Sequence, residues 1–269
     1  MALTELQRFV CQLLAAERRA SGESYVAGGL ALNELLDGSR RSRDIDVFAD
    51  TAAAVQKSWE ADREILVRHG LAVAPVRSFA SFMEAQVSRG DERVLLQWAQ
   101  DSAFRFFPLV EHPVLGLALH PIDLATNKVL ALIGRREPRD WVDALHCAAK
   151  VQPLGYLAWA AAGKDPGFGP LAVIEEAARS VRYTQRELDA LDYDGPTPDA
   201  GELSRRWHAA VAEARDLVAQ LPPEHAGTYV VTDKGEPARE SADGVVAALA
   251  GGRLRFHPGS IRGAWPELR

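Results

Sequence analysis

The segment from residue 25 to 48 constrains the fold more strongly than any other part of this chain. A short apolar run ends at the glycine pair Gly28-Gly29, and fourteen residues separate this pair from a second apolar run that carries Asp44 and Asp46. Side chains of a strand alternate between its two faces, so both carboxylates are predicted to lie on one face while the apolar residues beside them enter the core. The pattern therefore predicts a strand, a glycine turn, a short helix and an acidic strand in succession.

Both halves of this pattern have chemical consequences. Two carboxylates at one strand end form an oxygen-rich site suited to Mg²⁺ or the similar Mn²⁺, which proteins usually hold through a few carboxylates and substrate phosphates. The glycine pair lets the backbone approach a ligand closely, and a helix that begins there directs free N–H groups at a phosphate. The combination predicts transfer of a nucleotidyl group from a nucleoside triphosphate (NTP). A turn, a short helix and a solvated acidic strand end remain the alternative interpretation.

Composition limits the partners and the compartment. A net charge of −6 over 269 residues argues against a protein that coats nucleic acid along its whole surface. The two cysteines, Cys11 and Cys147, show no metal-ligand spacing and indicate a reducing, cytoplasmic setting. No stretch of the sequence reaches the length of a membrane span, so no membrane partner is expected.

The segment from residue 25 to 48 resembles the nucleotidyltransferase superfamily that includes DNA polymerase β. Members carry Gly-Gly or Gly-Ser, a helix and then Asp-x-Asp on the next strand, and the glycine and carboxylate pairs of this chain stand at those positions. The resemblance implies that Asp44 and Asp46 are catalytic metal ligands. It also implies that the glycine pair, Ser42 and Arg43 bind the nucleotide.

A second pattern, between residues 121 and 150, resembles the abortive-infection nucleotidyltransferase toxins of the AbiEii/AbiGii type. These toxins carry an Asp-Leu-x-x-x-Lys helix followed by an Arg-Asp-x-x-Asp helix. The matching residues of this chain are Asp123, Lys128, Arg139, Asp140 and Asp143. The resemblance implies that Lys128 is catalytic and contacts the triphosphate, that the other four support the site, and that a toxin of this kind has tRNA as acceptor and an antitoxin protein as partner. An ordinary ion pair between Arg139 and Asp143 and a helix-start role for Asp140 remain alternatives.

One position departs from the superfamily pattern. Members usually supply a third carboxylate from a later strand, where this chain carries Gln97, and Asp101 lies four residues further on as a substitute. Glutamine offers a carbonyl oxygen to a metal but cannot act as a base, so the group that activates the acceptor hydroxyl is not identified. A catalytically impaired module that senses nucleotide or binds a partner is therefore the alternative function. For a catalytic protein, a protein or small-molecule hydroxyl is the alternative to a tRNA 3′ end.

The resemblance implies an α/β (α+β) fold, with a nucleotidyltransferase-like mixed sheet flanked by helices over residues 1–150. Local pattern adds a hairpin within residues 82–99, where Arg-Gly-Asp joins two alternating runs. Residues 151–225 are assigned to a mainly helical portion, in which the Gly- and Pro-rich residues 152–170 are interpreted as a linker or loop. Residues 226–269 form a tail to which the sequence assigns no role.

Overall fold

The computed structural model of the protein describes residues 3–179 and 183–267. The helices of the described part are α1 (Glu5–Ser21), α2 (Gly28–Leu35), α3 (Ala52–Arg68), α4 (Pro121–Arg135), α5 (Pro138–Lys150), α6 (Leu154–Ala161), α7 (Pro170–Arg179), α8 (Gln185–Asp189), α9 (Ala200–Gln220) and α10 (Ala242–Ala250). The strands are β1 (Ser24–Ala27), β2 (Asp44–Ala49), β3 (Ala72–Phe79), β4 (Phe82–Arg89), β5 (Glu92–Gln100), β6 (Phe104–Arg105), β7 (Val110–His112), β8 (Gly116–Ala118), β9 (Tyr229–Thr232), β10 (Leu254–His257) and β11 (Ser260–Ile261).

The described residues fall into two compact units. Unit 1 comprises residues 3–103, 109–120 and 192–194. Unit 2 comprises residues 104–108, 121–179, 183–191 and 195–267. The domain boundaries predicted from the sequence, at residues 150 and 225, stay a prediction.

Unit 1 is built on a seven-stranded mixed sheet with the strand order β3-β4-β5-β2-β1-β8-β7. β2 is parallel to β5 and β1 is parallel to β8, whereas the other neighbouring strands are antiparallel. The predicted mixed sheet with flanking helices is therefore confirmed, as is the hairpin within residues 82–99, which forms β4 and β5. Because β2 lies in the middle of this order, the acidic strand has a hydrogen-bonded neighbour on each side.

A buried polar network ties β5 to the two long helices of unit 1. Trp98 on β5 donates its indole N–H to Asp62 Oδ2 on α3 at 2.8 Å, and Arg18 on α1 lies 3.3 Å from the same oxygen. All three side chains are buried. Burial raises the pKa of Asp62, and the positive charge of Arg18 acts in the opposite direction. Since neighbouring side chains on a strand face opposite ways, this network holds β5 from the face opposite to Gln97.

Unit 2 is mainly helical, with α6 at its centre. Every residue of Leu154–Ala161 is buried, and the helix packs against α4, α7 and α9. Two small antiparallel pairs, β9 with β10 and β6 with β11, complete the unit. The tail contributes to the same core, because Val230 and Val245 pack in one buried cluster with Tyr156 of α6.

The interpretation of residues 152–170 as a linker is wrong for Leu154–Ala161, in the first half of the stretch. Glycine and proline at both ends of this stretch suggested a loop, but the apolar run between them forms α6 and is buried on all sides. Residues 268 and 269 of the tail lie outside the described part of the chain. Among the helices described, none is both long and apolar enough to cross a membrane.

Candidate active site

The glycine turn and the acidic strand of unit 1 are in direct contact. Gly28 begins α2 directly after β1 and has φ +67°, a left-handed conformation that favours glycine. A Cβ atom built on Gly28 would overlap the carboxylate of Asp46 and would lie 2.7 Å from its Cγ. The register of the sheet explains this approach, because Ala27 pairs with Asp46 across β1 and β2. The first residue of α2 is therefore a glycine because a carboxylate occupies the space of a side chain.

The second glycine faces a loop that carries an arginine and a hydroxyl. A Cβ atom on Gly29 would lie 2.5 Å from a terminal guanidinium nitrogen of Arg40 and 3.3 Å from Ser42 Oγ. Arg40 is only 5% exposed, and its guanidinium donates to the carbonyl of Arg41 at 3.0 Å. The loop is fixed from outside as well, because Gln7 donates to the Ser42 carbonyl at 2.7 Å.

Arg40 is a residue that the sequence reasoning missed. It lies in the same arginine-rich run as Ser42 and Arg43, and that proximity was the available signal. Arg43, which the sequence analysis selected, is exposed just before β2, whereas Arg40 is buried beside the glycine turn. A buried guanidinium at the beginning of a helix adds positive charge to a place where backbone N–H groups already favour anions.

Asp44 and Asp46 lie where the strand period predicts. Along β2 the two carboxylate residues are half-buried, whereas Ile45 and Val47 are buried. The carboxylates therefore share the more open face of the sheet. β2 continues into α3, whose first turn is capped by the side chain of Thr51, so the strand end is fixed by a helix start.

Gln97 stands beside Asp46, and a buried glutamate stands beside Gln97. Asp46 pairs with Gln97 across β2 and β5, and Gln97 pairs with Glu84 across β5 and β4. The amide Nε2 of Gln97 donates to Glu84 Oε2 at 2.8 Å. Glu84 is 4% exposed, and its other oxygen lies 3.4 Å from Nε of Arg77 on β3. Sequence reasoning missed Glu84, although a charged residue between Met83 and Ala85 inside an apolar strand was a signal.

Asp101 lies beyond the end of β5, away from the carboxylate pair. Its backbone N–H donates to the carbonyl of Ala49 at the end of β2, and its carboxylate accepts from the N–H of Ser102 at 2.8 Å. Four residues of strand separate it from Gln97, which corresponds to roughly 13 Å. The structure therefore brings Gln97, and not Asp101, to the register position beside Asp46.

Three residues of the second sequence pattern form a buried ion cluster in unit 2. Lys128 on α4 lies 2.9 Å from Asp140 Oδ1 and 3.1 Å from Asp143 Oδ2, both on α5. The side chains of Lys128, Asp140 and Asp143 are 7%, 0% and 1% exposed. Arg135, which is half exposed, also reaches Asp140 Oδ1 at 3.0 Å. We call Lys128, Asp140 and Asp143 the Lys128 cluster; contact between Lys128 and a nucleotide stays a prediction.

The two remaining residues of that pattern have other partners. Asp123 is fully buried and accepts the backbone N–H groups of Phe106 and Phe107 at 2.9 and 3.0 Å, and Lys164 lies 2.7 Å from it. It therefore anchors residues 104–108 to α4 within unit 2. Arg139 lies 2.6 Å from Glu137.

The donor set of unit 1 suits a divalent cation that also binds a substrate phosphate. Within residues 3–179 and 183–267, no group of three or more His, Cys, Asp or Glu side chains is arranged to hold a metal ion. Asp44 and Asp46 supply two carboxylates, and the amide of Gln97 adds a neutral oxygen. Mg²⁺ is commonly held by one or two carboxylates, waters and substrate phosphates, so this set fits such an ion.

Comparisons with known proteins return structural neighbours only. No protein-family model matches the chain, and no curated protein has a similar sequence. The chain is similar to MenT4, a nucleotidyltransferase toxin from Mycobacterium tuberculosis H37Rv, with 14% identity, a TM-score of 0.48 and coverage of 81% of this chain and 83% of that chain. It is also similar to a candidate nucleotidyltransferase from H. pylori, with 16% identity, a TM-score of 0.49 and coverage of 82% of this chain and 99% of that chain. A third neighbour is JHP933 from Helicobacter pylori, with 14% identity, a TM-score of 0.49 and coverage of 80% of this chain and 91% of that chain.

Two of these neighbours are named as nucleotidyltransferases. Identities of 14–16% with TM-scores below 0.5 support no conclusion about the reaction.

Proposed function

We propose that this chain is a Mg²⁺-dependent nucleotidyltransferase that moves a nucleoside monophosphate from an NTP to an acceptor hydroxyl. The observation that carries the proposal is the contact of Gly28 with the carboxylate of Asp46. A helix that begins at a glycine pair offers backbone N–H groups to a phosphate, and the carboxylate beside it offers oxygen to a cation. Donors for the phosphate oxygens and a carboxylate for the cation, both of which a bound metal–triphosphate complex requires, thus lie side by side in unit 1.

Each residue of the turn and the acidic strand has a role in this proposal. The N–H groups at the start of α2, the buried guanidinium of Arg40, and Ser42 and Arg43 bind phosphate oxygens. Asp44 and Asp46 hold Mg²⁺ or Mn²⁺, which when bound supplies charge neutralisation for the triphosphate and for the leaving pyrophosphate. The remaining task of the chain is to align the acceptor hydroxyl with the α-phosphate, because phosphoryl-type transfer depends mainly on positioning and electrostatics.

Lys128 is proposed to offset charge on the leaving pyrophosphate, as its position in the toxin-type pattern implies. The contacts with Asp140 and Asp143 add a structural requirement, since the same ammonium neutralises two buried carboxylates. An effect of substituting Lys128 on transfer is therefore evidence for nucleotide contact only when the variant is folded.

The proposed acceptor is a tRNA 3′ end, and the proposed biological role is that of a toxin in a toxin–antitoxin or phage-defence system, with an antitoxin protein as partner. The Asp-Leu-x-x-x-Lys and Arg-Asp-x-x-Asp pattern of residues 123–143 supports this choice of acceptor. Transfer to a protein or to a small-molecule hydroxyl is an outcome that the experiment below distinguishes.

A second candidate function is a nucleotide-sensing or partner-binding module on the same fold. Gln97 favours it, because a neutral amide stands at the register position beside Asp46 and cannot take a proton from the acceptor. Such a module binds NTP with Mg²⁺ and leaves it intact.

The experiment follows label from each α-³²P NTP, with Mg²⁺, onto total tRNA and onto protein. Wild type is compared with Asp46→Asn, which keeps the volume and removes one charge, and with Asp91→Asn, an exposed control in the β4–β5 turn. We expect label on tRNA with wild type and the control, and a loss of at least about 100-fold in Asp46→Asn, as for removal of a transition-state stabiliser. Full transfer by folded Asp46→Asn refutes the assignment, whereas Mg²⁺-dependent binding without transfer by wild type favours the sensor.

A further inference from the structure

We propose that Glu84 is a positioning residue, which orients the amide of Gln97 so that its oxygen, and not its nitrogen, faces the cation held by Asp44 and Asp46. The inference rests on the proposed function, because it assumes a divalent cation at the two aspartates. It assigns a role to a buried glutamate that the superfamily pattern does not include.

The first argument is the register of three neighbouring strands. Asp46 on β2, Gln97 on β5 and Glu84 on β4 are successive partners across the sheet, so their side chains lie in one row on one face. Strands lie about 4.8 Å apart, and two spacings place the Glu84 backbone roughly 10 Å from that of Asp46. Gln97 therefore stands between the two carboxylates and separates Glu84 from the carboxylate pair.

The second argument is the orientation of the Gln97 amide. Its nitrogen donates to Glu84 Oε2 at 2.8 Å, on the β4 side of β5. The amide oxygen is then the end available on the β2 side, where Asp46 lies. An amide nitrogen carries only N–H donors and cannot ligate a cation, so the two orientations of this side chain have opposite effects on a metal.

The third argument is the burial and charge of Glu84. A carboxylate that is 4% exposed needs compensating contacts, and it receives the Gln97 amide and, at 3.4 Å, the guanidinium of Arg77. A hydrogen bond to an ionised acceptor is stronger than one between neutral groups, so it holds the amide against rotation. The negative charge of Glu84 thus lies one hydrogen bond from the neutral amide of Gln97, on the side of Gln97 away from Asp46.

The test is a set of four full-length proteins whose Mn²⁺ affinity is measured by the EPR signal of free Mn²⁺. They are wild type, Glu84→Met, Gln97→Asp and the double variant. In wild type, Glu84→Met is expected to weaken Mn²⁺ binding about 10-fold, the lower end of effects seen for groups that orient metal ligands. In the Gln97→Asp background the same substitution is expected to leave binding unchanged or to strengthen it, because two carboxylates on neighbouring strands repel each other.

A structural role for Glu84 gives a different result. Weakening by the same factor in both backgrounds, or no weakening in wild type, overturns the proposal. Glu92 is an exposed glutamate on β5, the strand of Gln97, and the variant Glu92→Met is the control, which is expected to bind Mn²⁺ as wild type does. If Glu84→Met does not fold, Glu84→Gln takes its place. Its amide can donate to Gln97 as well as accept from it, so the Gln97 amide is no longer held in one orientation, and Mn²⁺ binding is expected to weaken by more than about 3-fold in wild type and not to weaken in the Gln97→Asp background. Equal factors in the two backgrounds overturn the proposal here as well.

Failure of this inference is distinguishable from failure of the proposed function. Mn²⁺ affinity that depends on Glu84 only through Gln97, without transfer of label from any NTP, supports the positioning role and refutes the transferase. Transfer of label with Mn²⁺ affinity indifferent to Glu84 supports the transferase and overturns the positioning role.

Discussion

Substituting Lys128 by methionine tests whether the Lys128 cluster is a structural unit. The ammonium lies 2.9 and 3.1 Å from two carboxylates that are 0% and 1% exposed, so its removal leaves two buried negative charges without this partner. Arg135 still reaches Asp140, but it is half exposed and meets the same oxygen that Lys128 does. Breaking a buried ion pair by removing one member typically costs about 3–5 kcal/mol. We expect Lys128→Met to lose that much free energy of unfolding.

The measurement is thermal unfolding followed by circular dichroism, where such a loss corresponds to a decrease in Tm of roughly 6–20 °C for units of this size. Lys150→Met, an exposed lysine at the end of α5, is the matched control and is expected to change stability by no more than about 0.5 kcal/mol. Lys128→Met combined with Asp143→Leu should recover part of the loss, since the partner charge leaves with the ammonium. A Tm within 2 °C of wild type for Lys128→Met refutes the structural role.

Further predictions concern the glycine turn at Gly28 and the two buried cysteines. Gly28→Ala should abolish transfer, because its Cβ displaces the Asp46 carboxylate. The control Gly90→Ala also has a positive φ (+60°) but open space around it, so it should lose a similar ~1 kcal/mol of stability and keep activity. Equal loss of transfer in both variants contradicts the contact between Gly28 and Asp46. Burial raises the pKa of Cys11 to about 11 and raises that of Cys147 as well, so both thiols should react with a thiol reagent at pH 8 at least about 100-fold faster in urea than in the native protein. The raised thiol pKa also makes stability depend on pH. Between about pH 9 and 11 the unfolded chain releases thiol protons that the folded chain keeps, so the free energy of unfolding should decrease as pH rises through this range. A flat profile of Tm against pH would contradict the burial of the thiols.

The part of the site that follows local periodicity was predictable from the sequence. The period of two along β2 places Asp44 and Asp46 on one face, and the glycine pair marks the start of α2. The partner of Gln97 was also within reach, because the hairpin turn sets Arg89 opposite Glu92 and counting outward from that pair leads to Glu84. The step was missed because the missing third carboxylate was sought further along the same strand and not across the hairpin.

Other features depend on packing that no local pattern encodes. The Lys128 cluster requires α4 to place Lys128 against two positions of α5. Spacing along one helix offered only an alternative pair between Arg139 and Asp143, and in the structure Arg139 lies beside Glu137. α6 was taken for part of a linker because its apolar run is short and lacks the polar face of a surface helix. A helix that is buried on all sides has no alternation of apolar and polar faces, so only its apolar composition distinguishes it in the sequence.

The parallel pairing of β2 with β5 also determines when a working site can appear. Asp46 and Gln97 are register partners on two neighbouring strands, yet about fifty residues containing α3, β3 and β4 separate them along the chain. Contacts of such sequence separation form late and slowly in folding, because a long loop must close before the pairing gives any gain. In a ribosome-bound chain that has not yet released β5, the strand with both aspartates can pair with β1 on one side, but its β5 side is open. The proposed site is therefore incomplete throughout about the first third of synthesis, and the pairing of β5 with β2 is the folding event that brings Gln97 beside Asp46.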